Sequence, residues 1–408
     1  MPDQRLPSSP GFWRSPLRGP WFTSVLGLVL LVGVTVLFVT GLLSYAAYNP
    51  DLSPVNDMTP DKGLLGFYLF PWPTHPRGLY RLTQGVHVTL GITLIPVLLA
   101  KLWSVVPKLF ALPPARSLAH ALERISLLLL VGGGLFEFVT GVLNVQLDYV
   151  FPGSFYTLHF YGAWVFFAAF LAHAVLKTPA ALRAVRRARD EGDLVSPRPA
   201  APTVSRRGAL GLVGGGSLLL FGTTVGRSVD GPLREAALLA PHGGDEPAGG
   251  PGGFQINKTA AYAGIGADET SEEAWRLVLV GRSRTVRLSR ADLLARPLHD
   301  AALPIACVEG WATSDQWWRG VRLRDLAALA GHEDPCDVLV ESLQRHGAFR
   351  RAALRANQVA DPDSLLALRV NGADLTPDHG YPARIIVPAA PGVLNTKWVA
   401  RLTFGELR

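Results

Sequence analysis

The chain has 408 residues, of which 49% are hydrophobic and only 17% are charged, which is unusually apolar for a soluble protein of this length. Its formal net charge of +7 comes largely from arginine and lysine beside apolar runs, and we find no zinc-finger spacing or RNA-binding signature, so we expect no nucleic-acid partner. The two cysteines exclude a disulfide scaffold and a four-cysteine iron–sulfur cluster. We therefore expect a membrane portion within a multi-domain chain.

Four apolar segments in the first half each approach or exceed the about 20 residues that a helix needs to cross the hydrocarbon core. None of them resembles a cleavable signal peptide. They predict a four-helix membrane domain over residues 21–180, preceded by a cytoplasmic tail over residues 1–20. The segments cover residues 21–46, 80–102, 124–145 and 157–177.

The orientation of these segments follows from their charged flanks, because cytoplasmic loops carry an excess of arginine and lysine. Basic residues precede the first segment, separate the second from the third, and follow the fourth in K-T-P-A-A-L-R-A-V-R-R-A-R. The connection over residues 47–79 instead carries Asp51, Asp57 and Asp61 against Lys62 and Arg77. The N-terminus is therefore predicted to be cytoplasmic.

Four histidines stand within or at the ends of these segments, where an ionisable side chain is costly and marks a functional candidate. His159 and His173 lie fourteen residues apart on the fourth segment. This spacing places them about 40° apart on one helix face and about 21 Å apart along the axis. Depth matching pairs His87 with His159 near the outer surface and His120 with His173 near the inner surface. Neutral imidazoles from two helices are suitable axial ligands for haem b, so one or two haems are predicted.

This arrangement resembles the membrane cytochrome b subunits of formate dehydrogenases and hydrogenases, in which one helix supplies ligands to two haems. The resemblance covers roughly residues 21–180, and it departs from that family because the first segment contains no histidine. The alternative is that each histidine only hydrogen-bonds inside the bundle or lies at the headgroup level. His120 is the most open to this alternative, because it precedes Glu123 and Arg124.

A basic cytoplasmic linker over residues 181–207 follows the bundle and ends in the arginine pair of S-R-R-G-A-L-G. Arg206 and Arg207 before the apolar run 208–226 match a twin-arginine export signal, except that Ala209 replaces the usual phenylalanine. The run is long enough for a fifth, thin crossing toward the outside. The alternative is that both arginines are ordinary positive-inside flanks.

The remainder of the chain is predicted to lie outside the membrane. A Gly/Pro-rich linker over residues 227–253 leads to an α+β domain over residues 254–408. Strand-like runs such as W-R-L-V-L-V and A-R-I-I-V-P alternate there with helical patterns such as L-R-D-L-A-A-L-A-G.

The most distinctive stretch of this domain is L-P-I-A-C-V-E-G-W-A-T-S-D-Q-W-W-R-G-V-R-L-R-D-L, residues 303–326. It resembles the molybdopterin-binding domain of the sulfite oxidase family, which also includes periplasmic methionine sulfoxide reductases. In that family a cysteine in a C-x-E-G-W context binds molybdenum, and a W-x-G-V-x-L-x-D-L segment follows. Further matches are F-Q-I-N-K-T-A (254–260), L-L-A-L-R-V-N-G-A-D-L (365–375), H-G-Y-P-A-R-I-I-V-P (379–388) and N-T-K-W-V (395–399).

The resemblance implies that the pterin dithiolene holds the molybdenum and that the Cys307 thiolate is the one sulfur ligand that the protein adds. It further implies that Asn257, His379, Arg384 and Lys397 contact the pterin and its phosphate, where cationic partners are needed. Each of these has a structural alternative: a surface charge for Arg384, a turn residue for His379 and a solvated lysine for Lys397. Cys336 matches no motif and is interpreted as structural.

The sequence departs from the family in two respects. The stretch P-G-V-L-N-T stands where many relatives carry a lysine before the K-W pair. The complete set of active-site basic and tyrosine residues of sulfite oxidases, and their dimerisation domain, are not found. Sulfite is therefore one candidate substrate and not the default.

Together these features predict a bacterial membrane-anchored molybdenum oxidoreductase with its catalytic domain on the periplasmic or extracellular side. It would transfer an oxygen atom and two electrons to or from a small substrate, and exchange electrons with a quinone or quinol through b-type haems. One alternative is a haem electron conduit or sensor whose outer domain lacks a working cofactor. Another is a haem-free anchor for a molybdenum enzyme that a soluble cytochrome serves.

Overall fold

In the computed structural model the chain divides into two compact units. The helical unit comprises Met1–Val39, His87–Phe151 and Leu158–Thr224, and the domain unit comprises Thr40–Val86, Pro152–Thr157 and Val225–Arg408. The structure describes residues 6–52, 69–110, 112, 117–146, 154–187, 194–229, 231–239, 253–256, 258–345 and 350–407.

Five long helices form in the first half of the chain, as the hydropathy pattern predicts. Their described residues include five stretches long and apolar enough to cross a membrane by length and composition, with mean hydropathy from 2.7 in the first to 1.5 in the last. The helices are α1 (Pro20–Ala47), α2 (Leu79–Leu109), α3 (Leu118–Gln146), α4 (Phe155–Arg187) and α5 (Arg206–Gly222).

Helix α5 begins inside the predicted twin-arginine stretch. Ser205 is its N-cap, and the Ser205 hydroxyl accepts a hydrogen bond from the Gly208 N–H at 3.0 Å. Arg206 and Arg207 are consequently the first two residues of the helix, whereas the sequence analysis assigned them to the preceding linker. Residues 240–252 of the predicted Gly/Pro-rich linker lie outside the described residues.

The helical unit is held together by apolar packing between α1 and α2. Phe22, Leu26 and Leu30 of α1 form a buried cluster with Leu94 and Val97 of α2. These positions recur every three to four residues, so they share one face of each helix.

The domain unit contains two β-sheets, and short helices connect some of their strands. The strands are β1 (Leu277–Val280), β2 (Thr285–Leu288), β3 (His299–Leu303), β4 (Gln316–Arg322), β5 (Val338–Ser342), β6 (Arg351–Leu354), β7 (Leu365–Val370), β8 (Ala373–Asp374), β9 (Arg384–Ile386) and β10 (Val399–Phe404). The short helices are α6 (Ala260–Ala263), α7 (Ala267–Thr270), α8 (Arg290–Leu294), α9 (Leu323–Leu329) and α10 (Ala356–Ala360).

One sheet has the order β2-β1-β10-β5-β6, and the other has the order β3-β4-β7-β8 with β9 also paired to β7. Strands β1 and β10 are parallel, and the remaining described pairs are antiparallel. Leu277 of β1, Leu366 of β7 and Leu326 of α9 belong to one buried core, so both sheets and α9 share it. This arrangement confirms the predicted α+β class.

Candidate functional site

The Cys307 loop, which we define as residues 304–315, connects β3 to β4. The Cys307 N–H donates to the Trp311 carbonyl at 2.8 Å, and the Gly310 N–H donates back to the Cys307 carbonyl at 3.1 Å. Gly310 has a φ of 85°, which favours glycine. Further out, Ile305 and Thr313 pair through two hydrogen bonds of 2.9 Å. The loop is therefore a closed turn with Cys307 at a fixed position.

The Cys307 side chain is buried in an apolar cluster with Phe254, Trp311 and Trp318. Burial raises the pKa of its thiol well above the ordinary value, and the nearby Glu309 carboxylate adds to the rise. An unligated Cys307 is thus held as the neutral thiol. A bound metal reverses this preference, because a coordinating thiol is deprotonated.

His379, Arg384 and Lys397 converge around Gly380, so the structure brings together three residues that the sequence analysis assigned to the cofactor. His379 ends a short 3-10 helix, Arg384 begins β9, and Lys397 precedes β10. Gly380 has a φ of 107°, and a Cβ added there would lie 3.1 Å from the Lys397 Cβ and 3.2 Å from the Arg384 Cβ. Glycine at this position permits the close approach of both cationic side chains.

The two cations donate their hydrogen bonds to backbone carbonyls. Arg384 donates to the carbonyls of His379 at 3.0 Å and Asn395 at 3.2 Å. Lys397 Nζ donates to the carbonyls of Lys258 and Asp378, each at 2.8 Å. Among the described residues, neither cation has a carboxylate oxygen within salt-bridge distance.

Two buried polar atoms beside these cations have no hydrogen-bond partner in the described part of the chain. They are the Arg384 Nε and the Thr396 hydroxyl. Buried polar groups are normally satisfied, and buried charges are normally paired. The cluster therefore has unpartnered donors beside two cationic side chains, as an anionic ligand requires.

Burial is the main cause of the pKa shifts in this cluster. Burial lowers the pKa of Arg384 to about 9. Burial, followed by repulsion from Arg384, lowers the pKa of Lys397 to about 7. Burial is also the main cause that lowers the pKa of His379 to about 4, so His379 is neutral at pH 7.

Both ring nitrogens of His379 are engaged within the protein. Its Nδ1 lies 2.8 Å from the Thr376 hydroxyl, and its Nε2 lies 3.0 Å from the Phe254 carbonyl. Since a carbonyl can only accept, Nε2 carries the proton and Nδ1 accepts from Thr376. His379 therefore fixes Phe254, whose ring also contacts Trp318 at a centroid distance of 5.5 Å.

The sequence analysis did not single out Phe254, Lys258, Thr396 or Gly380 as site residues. The quoted motifs contain all four, but a match to a motif does not say which of its side chains face the site. Asn257, which the sequence analysis did assign to the cofactor, lies outside the described residues.

The candidate outer haem ligands are neighbours in the helical unit. The rings of His87 on α2 and His159 on α4 have centroids 6.3 Å apart and planes at 82°. The His87 Nδ1 lies 3.0 Å from the Leu37 carbonyl. The His159 Nδ1 lies 3.1 Å from a carboxylate oxygen of Glu137 and 3.1 Å from the Thr140 hydroxyl.

The candidate inner pair is less defined. His173 lies on α4, fourteen residues after His159, as the sequence spacing requires. His120 is in the first turn of α3, and its side chain lies outside the described residues. Within the described part of the chain, no group of three or more His, Cys, Asp or Glu side chains forms a protein-only metal site.

Comparison with known proteins supports the C-terminal assignment. Residues 265–407 match the family model of the oxidoreductase molybdopterin binding domain. Residues 265–407 form a molybdopterin-binding oxidoreductase domain of the sulfite oxidase family. The sequence prediction of a molybdopterin domain is thereby confirmed, and residues 1–264 lie outside the match.

Individual relatives cover about a quarter to a third of the chain. Rat mitochondrial sulfite oxidase is 32% identical over an alignment of 158 positions, which covers 32% of this chain and 29% of the relative. The uncharacterized oxidoreductase YuiH of Bacillus subtilis is 30% identical over 131 residues, covering 32% of this chain and 65% of the relative. The NADH nitrate reductase of Volvox carteri is 35% identical over 112 residues, covering 24% of this chain and 12% of the relative. The chain thus spans less than two thirds of the length of each of these relatives.

The residues of the molybdopterin domain fit the group that its family implies. Cys307 would supply one soft sulfur ligand from a hydrogen-bonded turn, and the buried Arg384 Nε and Thr396 hydroxyl have no hydrogen-bond partner among the described residues. Such a donor set suits a cofactor that presents both a metal and a phosphate.

Proposed function

We propose that the chain is a membrane-anchored molybdenum oxidoreductase that transfers an oxygen atom and two electrons to or from a small substrate. The observation that carries this proposal is the presence, in one domain, of a buried Cys307 loop and the cationic pair Arg384 and Lys397, which donate their hydrogen bonds to backbone carbonyls. Both features lie within the residues that match the molybdopterin domain.

Each protein residue has a defined task in this proposal. Cys307 holds the metal from a turn that cannot shift without breaking its two internal hydrogen bonds. Arg384 and Lys397 neutralise the phosphate of the cofactor, and the neutral His379 keeps Phe254 against Trp318. When bound, the molybdenum cofactor supplies two-electron redox chemistry at the substrate.

We also propose that His87 and His159 would together hold one b-type haem. Two imidazoles at about 2.0–2.1 Å from a shared metal have ring centres about 6 Å apart, an estimate that uses the zinc–imidazole distance. The 6.3 Å separation of these two rings agrees with that estimate. The haem supplies one-electron transfer when it is bound.

The hydrogen bonds of both rings support the same assignment. Nδ1 of each ring has a partner within the protein, the Leu37 carbonyl for His87 and the Thr140 hydroxyl for His159. Metal-binding histidines commonly donate their other ring N–H to a carbonyl or carboxylate, which fixes the tautomer and the ring orientation. Leu37 and Glu137 provide these two acceptors here.

The remaining parts of the proposal rest on sequence spacing. His120 and His173 would bind a second haem near the cytoplasmic surface, and the two haems would exchange electrons with quinone or quinol. Arg206 and Arg207 would direct export of a catalytic domain that has already received its cofactor in the cytoplasm. This places the molybdopterin domain on the periplasmic or extracellular side of a bacterial membrane.

The proposal is tested by following electrons from the haem to a substrate. Detergent-purified protein is reduced with dithionite, freed of excess reductant, and mixed with a sulfoxide or another oxygen-atom donor. We expect the haem absorbance to return to the oxidised spectrum with wild-type protein and not with Cys307→Ser. Oxidation of the haem at equal rates in both proteins would contradict the proposed catalytic role of Cys307. A spectrum without haem bands would contradict the proposed electron transfer through haem.

A further inference from the structure

The Cys307 loop is completed by residues from outside the molybdopterin domain. Gln84, in the second turn of α2, donates its side-chain N–H to the Val308 carbonyl. The Ser228 hydroxyl, which follows α5, donates to the Gly310 carbonyl at 2.7 Å. Val308 and Gly310 both belong to the turn that fixes Cys307.

The far end of the same loop is held in a similar way. The Ala312 N–H donates to the Arg227 carbonyl at 2.9 Å. The Ala312 carbonyl accepts a hydrogen bond from Arg234 at 2.8 Å. The backbone groups of this loop therefore find partners in two segments that lie far from it in the sequence, around residues 84 and 227–234.

Aromatic packing reinforces these hydrogen bonds. Tyr48, Tyr80 and Trp72 are buried in one cluster with Ala306 and Ala312, the two residues that pair across the base of the Cys307 turn. Tyr48 follows α1, and Tyr80 is the second residue of α2. The tyrosines thus support the turn from the side of the helix ends.

Close approach of α2 requires a glycine beside Gln84. A Cβ added at Gly85 would lie 2.5 Å from the Ser228 Cβ, which is closer than real side chains come. Arg81, one turn earlier, donates to the Ser228 carbonyl at 2.9 Å. The first turns of α2 are therefore fitted to the segment that itself binds Gly310.

We propose that Gln84 and Ser228 are positioning residues for Cys307, so that the helix ends hold the metal-binding turn in place together with the molybdopterin domain. This inference deepens the proposed function and rests on it, because the turn matters for catalysis only if Cys307 binds molybdenum. Buried backbone carbonyls need hydrogen-bond partners, and Gln84 and Ser228 supply them to Val308 and Gly310. Loss of either donor frees the turn to leave its position.

The first test uses Cys307 itself as the probe, without any cofactor. Full-length Cys336→Ser protein has Cys307 as its one thiol, and it is produced in a host that cannot make the molybdenum cofactor. We expect Gln84→Met to raise the rate of Cys307 alkylation by a maleimide about tenfold, the effect of one lost hydrogen bond on local opening. Ser228→Ala, which is a smaller change, is also expected to raise the rate of Cys307 alkylation.

Gln358→Met is the matched control. Gln358 is also buried in the domain unit, but it bonds to the Asn49 side chain and the Arg355 N–H and not to the Cys307 loop. We expect this variant to lower the thermal stability without changing the alkylation rate at low temperature. Equal alkylation rates in wild type, Gln84→Met and Ser228→Ala, with all three folded, would overturn the inference.

A second readout uses the cofactor-loaded protein. The electron paramagnetic resonance signal of Mo(V) reports the geometry of the sulfur ligand, and we expect it to shift in Gln84→Met but not in Gln358→Met. An identical signal in both variants would count against a positioning role. A complete absence of molybdenum would instead refute the proposed function, and the alkylation rates would still decide whether Gln84 holds the turn.

Discussion

The molybdopterin domain and the long helices carry their candidate chemistry in different ways. In the domain, Cys307 and Lys397 stand in loops and Arg384 begins β9, and each of the three lies within a local sequence motif. In the helices, His87 and His159 come from separate elements that share no motif, and only their packing brings them together. Family comparison therefore identifies the domain, whereas the helical site depends on geometry and needs chemical tests.

The largest effect is expected from replacing Cys307, the proposed metal ligand in the domain. Cys307→Ser should reduce oxygen-atom transfer to the level of cofactor-free protein, because a hydroxyl is a poor replacement for a soft thiolate. Cys336→Ser is the control and should keep full activity, since Cys336 lies in none of the site contacts described above. Activity of Cys307→Ser near the wild-type level would remove this residue from the reaction.

The helical region is tested by removing one haem ligand at a time. His87→Ala and His159→Ala should each lose the same haem, because one iron needs both imidazoles. Iron content and the absorbance spectrum of purified protein measure this loss. His173→Ala should leave that haem in place and remove only a second one. Full iron content in His87→Ala and His159→Ala would show that these histidines only pack within the bundle.

These two predictions also mark how far sequence reasoning reaches. The five helices and α9 could be predicted from hydropathy and periodicity, whereas a shared site for His379, Arg384 and Lys397 was implied by the resemblance to a known family. The hydrogen bond between Gln84 and Val308 could not, since it joins positions 224 residues apart with no local signal. Asp51 was likewise interpreted only as a charge in the connection over residues 47–79, yet it forms a buried ion pair with Arg355.

The cationic cluster should show a smaller, graded effect. Lys397→Met should weaken cofactor retention about 10- to 100-fold, because it removes a charged donor for the phosphate. Molybdenum content after dialysis measures this retention. The matched control is Lys177→Met on α4, which lies outside the molybdopterin domain. Unchanged retention in Lys397→Met would contradict a phosphate contact.

The same variant has a distinct pH signature in the cofactor-free protein. The pKa of Lys397 is about 7 in the folded chain and about 10.5 when unfolded, so the unfolded chain binds more protons between these values. The free energy of unfolding should consequently rise from pH 7 toward pH 10, and this rise should be smaller in Lys397→Met. Parallel pH profiles of the two proteins in thermal unfolding would refute the assignment.

The smallest expected effect is the tuning of the outer haem. Glu137→Gln should raise its midpoint potential, because a carboxylate beside the His159 imidazole stabilises the oxidised iron. Thr140→Val removes the other Nδ1 contact without changing charge and should shift the potential less. Redox titration of the haem absorbance measures both variants. A lower potential in Glu137→Gln would contradict this orientation of His159.

The central claim is that one chain carries a molybdenum domain and a haem-binding helical region, and elemental mass spectrometry tests it most directly. The protein is purified in detergent from a host that makes the molybdenum cofactor, and molybdenum and iron are counted per chain. The account predicts about one molybdenum, with one iron if only His87 and His159 bind haem and two if His120 and His173 do so as well. Iron without molybdenum would contradict the catalytic proposal. Molybdenum without iron would contradict the proposed electron transfer through haem.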